Sequence, residues 1–426
     1  MTTDRLEAGA ATRSHLNAAE RRILVICFLT AMVDGFDTLI LAFIAPLVGK
    51  AFGMSPAEIG KLFAINFVGA VIGGLGFGPL ADRFGRRTML LVSLALAVVF
   101  TLLCSLAGSP RELMTLRFLA GLGLGGVIPM IIALTAESMP LPLRTASVTW
   151  MFLGIPFGAV VGGAIVAATL SYGWQAIFVG GGVAAALLIP AVFFGLPESL
   201  VTPAAIAPTD ARHGLFASVP AQFAEGRFAA VLCLWLGAFS VILSSFFLLN
   251  WMPSVLAGSG FSPERAAFGG VLLNLGGVVG ALIISIAVRR AGPYWPVIVL
   301  LCFGGVVVWL VGQQVGAEQG MLPLVFLAGV GVFGAQLAMP AIAAELFPLA
   351  VRGAGVGWAM GIGRTASIVA PVIGGALIAA QIPWPTLFLV VAVPVFVAAL
   401  TIFLANRVRP SGVLLPASVQ PTEIKY

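Results

Sequence analysis

Apolar residues do not alternate along this chain. They run in blocks of about 20, each long enough to cross a bilayer as a helix. Twelve such blocks are predicted as helices, at roughly 23–49, 57–79, 88–107, 113–136, 145–168, 174–195, 228–252, 266–288, 294–314, 321–344, 353–379 and 384–406. The longest polar interval, 197–227, falls between blocks six and seven. The pattern predicts a tail at 1–22, a six-helix half at 23–196, a linker at 197–227, a second six-helix half at 228–406 and a tail at 407–426.

Composition agrees. The chain has 426 residues, 60% hydrophobic and only 9% charged. That is too few charges to cover a soluble domain of this size, which excludes a cytosolic enzyme, a disordered protein and a secreted disulfide scaffold. The net charge of +6 follows topology rather than a nucleic-acid partner. Sixteen of the 22 basic residues fall on the side of the two tails, and four (Lys50, Lys61, Arg111 and Arg265) on the other. Arg117 and Arg364 fall inside spans. By the positive-inside rule both tails and the linker are cytoplasmic. Residues 1–22 are polar and carry acids, so no signal peptide is expected. The four cysteines sit in apolar spans without a CxxC, and the two histidines lie in the tail and the linker. No metal site, cofactor or enzymatic constellation is expected.

The halves align at an offset of 208 residues. Asn66 falls on Asn274, Glu137 on Glu345, Arg144 on Arg352 and Trp150 on Trp358. The repeat is parallel, as in major-facilitator transporters, where substrate binds between the halves near the midplane.

Ionisable residues within spans are costly and are therefore functional candidates. Span one holds Asp34 and Asp37, three residues apart and on one helical face. Two close acids in a low dielectric compete for one proton, which makes the pair a candidate proton carrier. At offset 208 the second half has Ile242 and Ser245, so packing does not require the acids. A buried pair with Arg117 is the structural alternative. Arg364 sits in a glycine-lined stretch of span eleven, and a lone guanidinium there suits bidentate binding of a carboxylate. Arg117, near the outer end of span four, is a second basic candidate. Asn250 and Trp251 beside Pro253 offer a hydrogen bond and an aromatic face, and Asn274 and Gln336 are further polar candidates.

After span two comes Gly78-Pro79-Leu80-Ala81-Asp82-Arg83-Phe84-Gly85-Arg86-Arg87. This resembles the signature loop of the major facilitator superfamily. Asp82, Arg83, Arg86 and Arg87 are the expected latch residues. Glu137 with Arg144, and Glu345 with Arg352, are expected gate residues that pair with the loop after span two. The counterpart loop in the second half has no acid, so the latch is expected to be one-sided.

Within that superfamily the chain resembles the aromatic acid:H+ symporter family. The resemblance rests on Asp34-Gly35-Phe36-Asp37, on the span-four run from Arg117 to Gly126, on Leu249-Asn250-Trp251-Met252-Pro253, on Asn274-Leu275-Gly276-Gly277, and on the run from Arg352 to Arg364. It spans roughly residues 20–405. It implies an all-α integral membrane protein of twelve transmembrane helices in two pseudo-symmetric halves. It also implies a bacterial inner-membrane location and proton-coupled import of benzoate-type acids. Asp34 and Asp37 match the family's span-one acids, and Arg364 matches its span-eleven arginine. The chain departs from the family at Pro129-Met130, where an asparagine is expected after the proline, and in the acid missing after span eight. A porter for a non-aromatic organic acid or sugar acid, or a proton-coupled exporter, remain the alternatives. A monomer is expected.

Overall fold

The computed structural model describes residues 15–198, 219–224, 226–315, 318–348 and 351–409. Most of the predicted linker and both tails lie outside these residues.

Twelve helices among the described residues are long and apolar enough to cross a membrane. They are α1 Ala18–Phe52, α2 Pro56–Phe84, α3 Arg86–Cys104, α4 Pro110–Ser138, α5 Leu141–Tyr172, α6 Trp174–Gly195, α7 Phe228–Gly258, α8 Pro263–Ala291, α9 Tyr294–Gln313, α10 Gly320–Leu346, α11 Arg352–Ala379 and α12 Trp384–Val408. In hydrocarbon, backbone groups have no water to bond, so a helix that satisfies them internally is the form such segments take. The protein is a multi-pass membrane protein. With twelve passes, the described ends of the chain share one face, called here the terminus side; the opposite face is the far side.

Helix starts are written locally. Asn17 and Glu20 form a reciprocal cap on α1, at 2.8 and 2.7 Å. On the far side, Ser55-Pro56-Ala57-Glu58 caps α2 in the same way, and Ser109 and Ser262 cap α4 and α8, each followed by a proline at the first helical position. A serine oxygen meets an orphan backbone N–H, and proline has no N–H to leave orphaned.

Two helices depart from regularity. α5 is broken at Leu153, between Leu141–Phe152 and Gly154–Thr169. Pro156 is the cause: it cannot donate to the Phe152 carbonyl, so the ladder fails there. α10 carries a π turn at Gly329–Phe333, where Gly331 packs against Gly304 of α9.

Within each half the helices approach closely through glycine. A Cβ at Gly125 of α4 would collide with the Ala70 carbonyl of α2, and one at Gly276 of α8 with the Phe326 carbonyl of α10. Small residues at such crossings let backbones pack directly, which replaces the hydrophobic drive that lipid does not supply.

The halves meet through α1–α7, α2–α11 and α5–α8. Contacts between them lie on the far side. Gly60 sits beneath the Pro371 carbonyl, and Gly375 lies against Pro56. Phe63 meets Trp251 edge-on at 5.4 Å and Phe67 meets Phe246 at 5.1 Å. The far side is thus closed by backbone contact and two aromatic pairs. A larger residue at Gly60 has nowhere to go without parting α2 and α11. Gly60→Leu is expected to lengthen the distance between spin labels on the far-side ends of these helices; an unchanged distance distribution would show that closure does not depend on this contact.

Candidate functional site

The span-one acids have separate environments. Asp37 is bound by Arg117, whose Nη2 lies 2.9 Å from Asp37 Oδ2 and 3.2 Å from the Asp37 carbonyl, while Nη1 lies 3.4 Å from Oδ1. The same Nη2 donates to Asn66 Oδ1 at 2.9 Å, and the guanidinium carbon lies 5.7 Å from the Phe178 ring centre. The Thr101 hydroxyl donates to Asp37 Oδ1 at 2.9 Å. Helices α1, α2, α3, α4 and α6 all contribute. Arg117 has zero exposure and Asp37 is 5% exposed.

This corrects the reading of Arg117 as a substrate ligand. It does not snorkel or line a cavity. Its partner is Asp37, about two turns of α4 from the far side being enough to bring the two level. A charge this deep persists only when paired and hydrogen-bonded. The two acids line the same cavity, but among the described residues only Asp37 is ion-paired, so they stand in unequal surroundings.

Asp34 has no such ion pair among the described residues. It is 8% exposed and lines a narrow cavity with Thr30, Val33, Asp37, Ala97 and Thr101. After burial and its neighbour Asp37, the next electrostatic influence on Asp34 is Arg364 of the other half, with which it makes no ion pair among the described residues. Arg364 is exposed although it sits about 18 Å along α11 at 1.5 Å per residue. An exposed guanidinium at mid-span, felt by an acid of the opposite half, faces the space between the halves. Gln336 of α10 is half-buried, and its Oε1 is without a hydrogen-bond partner.

The remaining polar candidates are placed differently. Asn250 is buried and gives its amide to the Phe246 carbonyl of its own helix at 2.6 Å. Asn274 does the same to Gly270 at 2.9 Å. The buried Trp251 donates to the Pro371 carbonyl at 3.2 Å, and its ring forms the far-side contact with Phe63. In this conformation the two amides are turned onto their own helices, and only Trp251 ties one helix to another.

At the terminus side, Arg86 pairs with Glu137, joining the loop after α2 to the end of α4 as expected. Arg87 bonds the Phe193 carbonyl and lies 5.0 Å from that residue's ring centre. Gly85, at φ 92°, turns α2 into α3 within one residue, and its open Cα face admits the Glu198 carboxylate. Arg83 lies over the Phe84 ring, Arg144 is exposed, and the Asp82 side chain is outside the described ones. The second half departs from expectation. Glu345 pairs with Arg409 at 2.5 Å, and Arg352 bonds the Phe347 carbonyl at 3.2 Å. Arg409 also lies 4.7 Å from the Tyr294 ring centre. Glu345 projects toward the end of α12, so its ion-pair partner comes from the edge of the C-terminal tail rather than from the loop after α2.

Thr101 carried no sequence signal of its own; only its register, eight residues from Ser93 and three from Cys104, places it on the buried stripe of α3. Among the described residues, no group of three metal-ligating side chains comes together.

The family model of the Major Facilitator Superfamily matches residues 27–363. The chain belongs to the major facilitator superfamily. It is 35% identical over 390 residues to the 4-hydroxybenzoate transporter PcaK of Pseudomonas aeruginosa, covering 85% of this chain and 87% of the relative. It is 34% identical to the gallate transporter of Pseudomonas putida, covering 91% and 92%. It is 31% identical to the 3-(3-hydroxy-phenyl)propionate transporter of Escherichia coli, covering 94% and 98%. These relatives bear out the resemblance to the aromatic acid:H+ symporter family, and the protein is a transporter rather than an enzyme. Among solved structures, a bacterial homologue of the lysosomal transporter Spinster, inward-facing and occupied, superimposes with a TM-score of 0.77 at 17% identity, covering 93% of this chain and all of the other. The D-xylose-proton symporter gives 0.70 at 18%, covering 88% and 97%. Both show the same fold.

The buried pair gives a direct expectation. Removing one partner leaves the other charge uncompensated in a low dielectric, which costs about 3–5 kcal/mol. Arg117→Ala should therefore lower the thermal unfolding midpoint of the purified protein sharply, and adding Asp37→Asn should recover part of the loss. A double variant no more stable than Arg117→Ala would mean that the pair is not what holds these helices.

Proposed function

We propose that the protein imports an aromatic carboxylate of the benzoate or hydroxybenzoate type together with a proton across a bacterial inner membrane, with both termini in the cytoplasm. The observation that carries this reading is the placement of Arg364. It is an exposed cation at mid-span on one half, within electrostatic reach of Asp34, an acid on the other half without an ion pair among the described residues. The relatives named above, which transport 4-hydroxybenzoate, gallate and a hydroxyphenylpropionate, support the class of substrate. The bias of basic residues supports the orientation, and the protein is taken as a monomer.

The chemistry follows from the charges. A carboxylate leaving water must meet a compensating charge or its desolvation prevents binding. Arg364 supplies that charge in a planar fork that fits two carboxylate oxygens. Asp34, if ionised, repels the incoming anion; a proton on Asp34 removes the repulsion. Substrate and proton therefore favour each other's binding, and the linkage is reciprocal. Far-side closure by Phe63–Trp251 and Phe67–Phe246 then corresponds to a cytoplasm-facing state. The transport step is the rocking that parts these rings and brings the terminus-side ends together.

Arg364→Ala should lose nearly all binding of 4-hydroxybenzoate to the purified protein. Arg364→Lys, which keeps the charge without the fork, should fall between. Losing a charged, hydrogen-bonded partner typically weakens affinity by about 30-fold to several thousand-fold. The neutral amide of the acid should bind poorly to the wild type and be little changed by Arg364→Ala. Near-native affinity in Arg364→Ala would remove this residue from the site.

Asp34→Asn should abolish accumulation driven by an imposed pH gradient while retaining substrate counterflow in proteoliposomes, because exchange needs no net proton release. Pumping that persists in Asp34→Asn would assign coupling elsewhere. For orientation, a cysteine replacing Arg290 should resist a membrane-impermeant thiol reagent applied to intact cells.

A further inference from the structure

One side of α5 faces lipid. Trp150, Phe157, Ile165 and Tyr172 are each more than half exposed. Spacings of seven, eight and seven keep them on one face of a helix. Gly163, two residues from Ile165 and so on the other side, packs against Val271 of α8 in the opposite half. At the terminus-side end of the exposed stripe lies a cavity of about 650 Å³, between the starts of α1 and α5. Its walls include Leu24, Leu143, Ala146 and Trp150, with two basic side chains, His15 and Arg21. Both basic residues are exposed, and Arg21 forms no ion pair among the described residues. The acid in the first turn of α1, Glu20, is turned onto the Asn17 N–H at 2.7 Å, and the first turn of α5 has no acid. Deeper in the span, the rings of Phe28 on α1 and Phe157 on α5 lie 6.0 Å apart.

The second half fills the same corner with its own chain. At the offset of 208, His15 falls on Phe223, Arg21 on Ala229 and Trp150 on Trp358. Phe223, from the linker segment Val219–Phe223, meets Trp235 of α7 at 5.3 Å, and Trp235 stacks on Trp358 of α11 at 6.3 Å. Trp358 is half-buried there, whereas Trp150 is 63% exposed. Three rings occupy one corner; the other keeps a cavity with two basic groups in its wall. Its size falls within the range of small-molecule sites, about 300–1,000 Å³. Its chemistry suits an amphiphile, with cations at the helix starts and leucine and tryptophan toward the span. Basic pockets between membrane helices bind acidic phospholipid headgroups, and tryptophan favours the same level of the bilayer.

We propose that an anionic phospholipid of the terminus-side leaflet occupies this cavity, its phosphate on Arg21 and His15 and one acyl chain passing Trp150 toward Phe28 and Phe157. The Arg21 fork can give two N–H groups to a phosphodiester, and an imidazole can give one in either protonation state. The lipid supplies in the first half the cover that Phe223 and Trp235 supply in the second. Its position has a mechanical consequence. α5 is broken at Leu153, so the terminus-side segment Leu141–Phe152 joins the rest of the helix through a weakened turn. A lipid held by Arg21 of α1 and by Leu143, Ala146 and Trp150 of that segment braces the segment against α1. The cavity shares no residue with the surroundings of Asp34 and Arg364, so its occupancy does not depend on which substrate the protein carries.

The test titrates the full-length protein in a neutral detergent with phosphatidylglycerol, and in parallel with phosphatidylcholine and inorganic phosphate. Phosphatidylglycerol should raise the thermal unfolding midpoint and stay attached in native mass spectrometry. Phosphatidylcholine should do both more weakly, and inorganic phosphate neither. A midpoint raised as far by inorganic phosphate would mean a free-anion site and overturn the lipid. His15→Gln with Arg21→Gln should weaken the apparent affinity for phosphatidylglycerol by about fivefold or more, the usual effect of one basic contact at a membrane surface. Arg21→Lys should retain most of it. Arg290→Gln, which removes an exposed arginine at the terminus-side end of α8, should leave the affinity unchanged. An equal loss in Arg290→Gln would show diffuse attraction to positive charge and overturn the site; so would unchanged affinity in the double variant. His15 and Arg21 are exposed, so these variants should fold as the unaltered protein does. A photo-reactive phenylalanine in place of Trp150 identifies the occupant. Capture of phosphatidylglycerol supports the proposal, whereas capture of residues 1–14 of the same chain, or of a second copy, assigns the cavity to protein and overturns it.

Discussion

A guanidinium with no access to solvent has to be compensated on the spot, and the N-terminal half is built around that requirement. Arg117 on α4 takes the carboxylate and carbonyl of Asp37 on α1 and the amide oxygen of Asn66 on α2. Thr101 on α3 holds the same carboxylate, and the Phe178 ring of α6 faces the cation. Five helices of the half thus converge on one charge. The low dielectric that makes an unpaired charge costly makes each of these contacts stronger than it would be in water. With Asp37 paired inside its own half, Asp34 is the span-one acid left without an ion pair among the described residues, on a cavity lined by α1, α3, α4 and α6.

The second half shows that the fold does not demand this arrangement. At the repeat offset, Arg117 becomes Val325 and Asp37 becomes Ser245, both fully buried. Asn66 becomes Asn274, which turns to its own helix instead. The same six-helix topology therefore forms around an apolar centre. A further asymmetry sits at one register position: Pro156 breaks α5 in the first half, and Arg364 stands in an unbroken α11 in the second. The repeat supplies two similar scaffolds. Function depends on the few positions where they differ.

The sequence carried the spans, the parallel repeat and the helix caps openly, because each is a local or periodic signal. The Asn17 and Ser55 capping boxes can be read from four residues, and the break in α5 from one proline. It carried the identity of the membrane charges but not their pairing. Arg117 and Arg364 look alike as lone arginines in glycine-rich spans; only tertiary packing makes one a buried strut and leaves the other exposed. Glu345 with Arg352 looked like a second copy of Glu137 with Arg144, both expected on the loop after α2, yet of the two glutamates only Glu137 is ion-paired there among the described residues. Arg86 reaches Glu137 from the loop after α2, and Arg409 reaches Glu345 from 64 residues away.

On the proposed assignment, the two facing charges also explain why transport would couple one proton to one anion. The empty site holds an ionised Asp34 opposite Arg364, and its net charge is zero. With both ligands bound, Asp34 is neutral and the carboxylate balances Arg364, so the net charge is again zero. A proton alone leaves one uncompensated positive charge, and an anion alone leaves one negative. Rocking the halves carries this site through an occluded state without bulk water, where an unbalanced charge is strongly disfavoured. Only the empty and the doubly loaded forms cross readily. Coupling then needs no dedicated sensor: it follows from placing one unpaired acid and one unpaired base on opposite halves, after the other acid has been committed to Arg117.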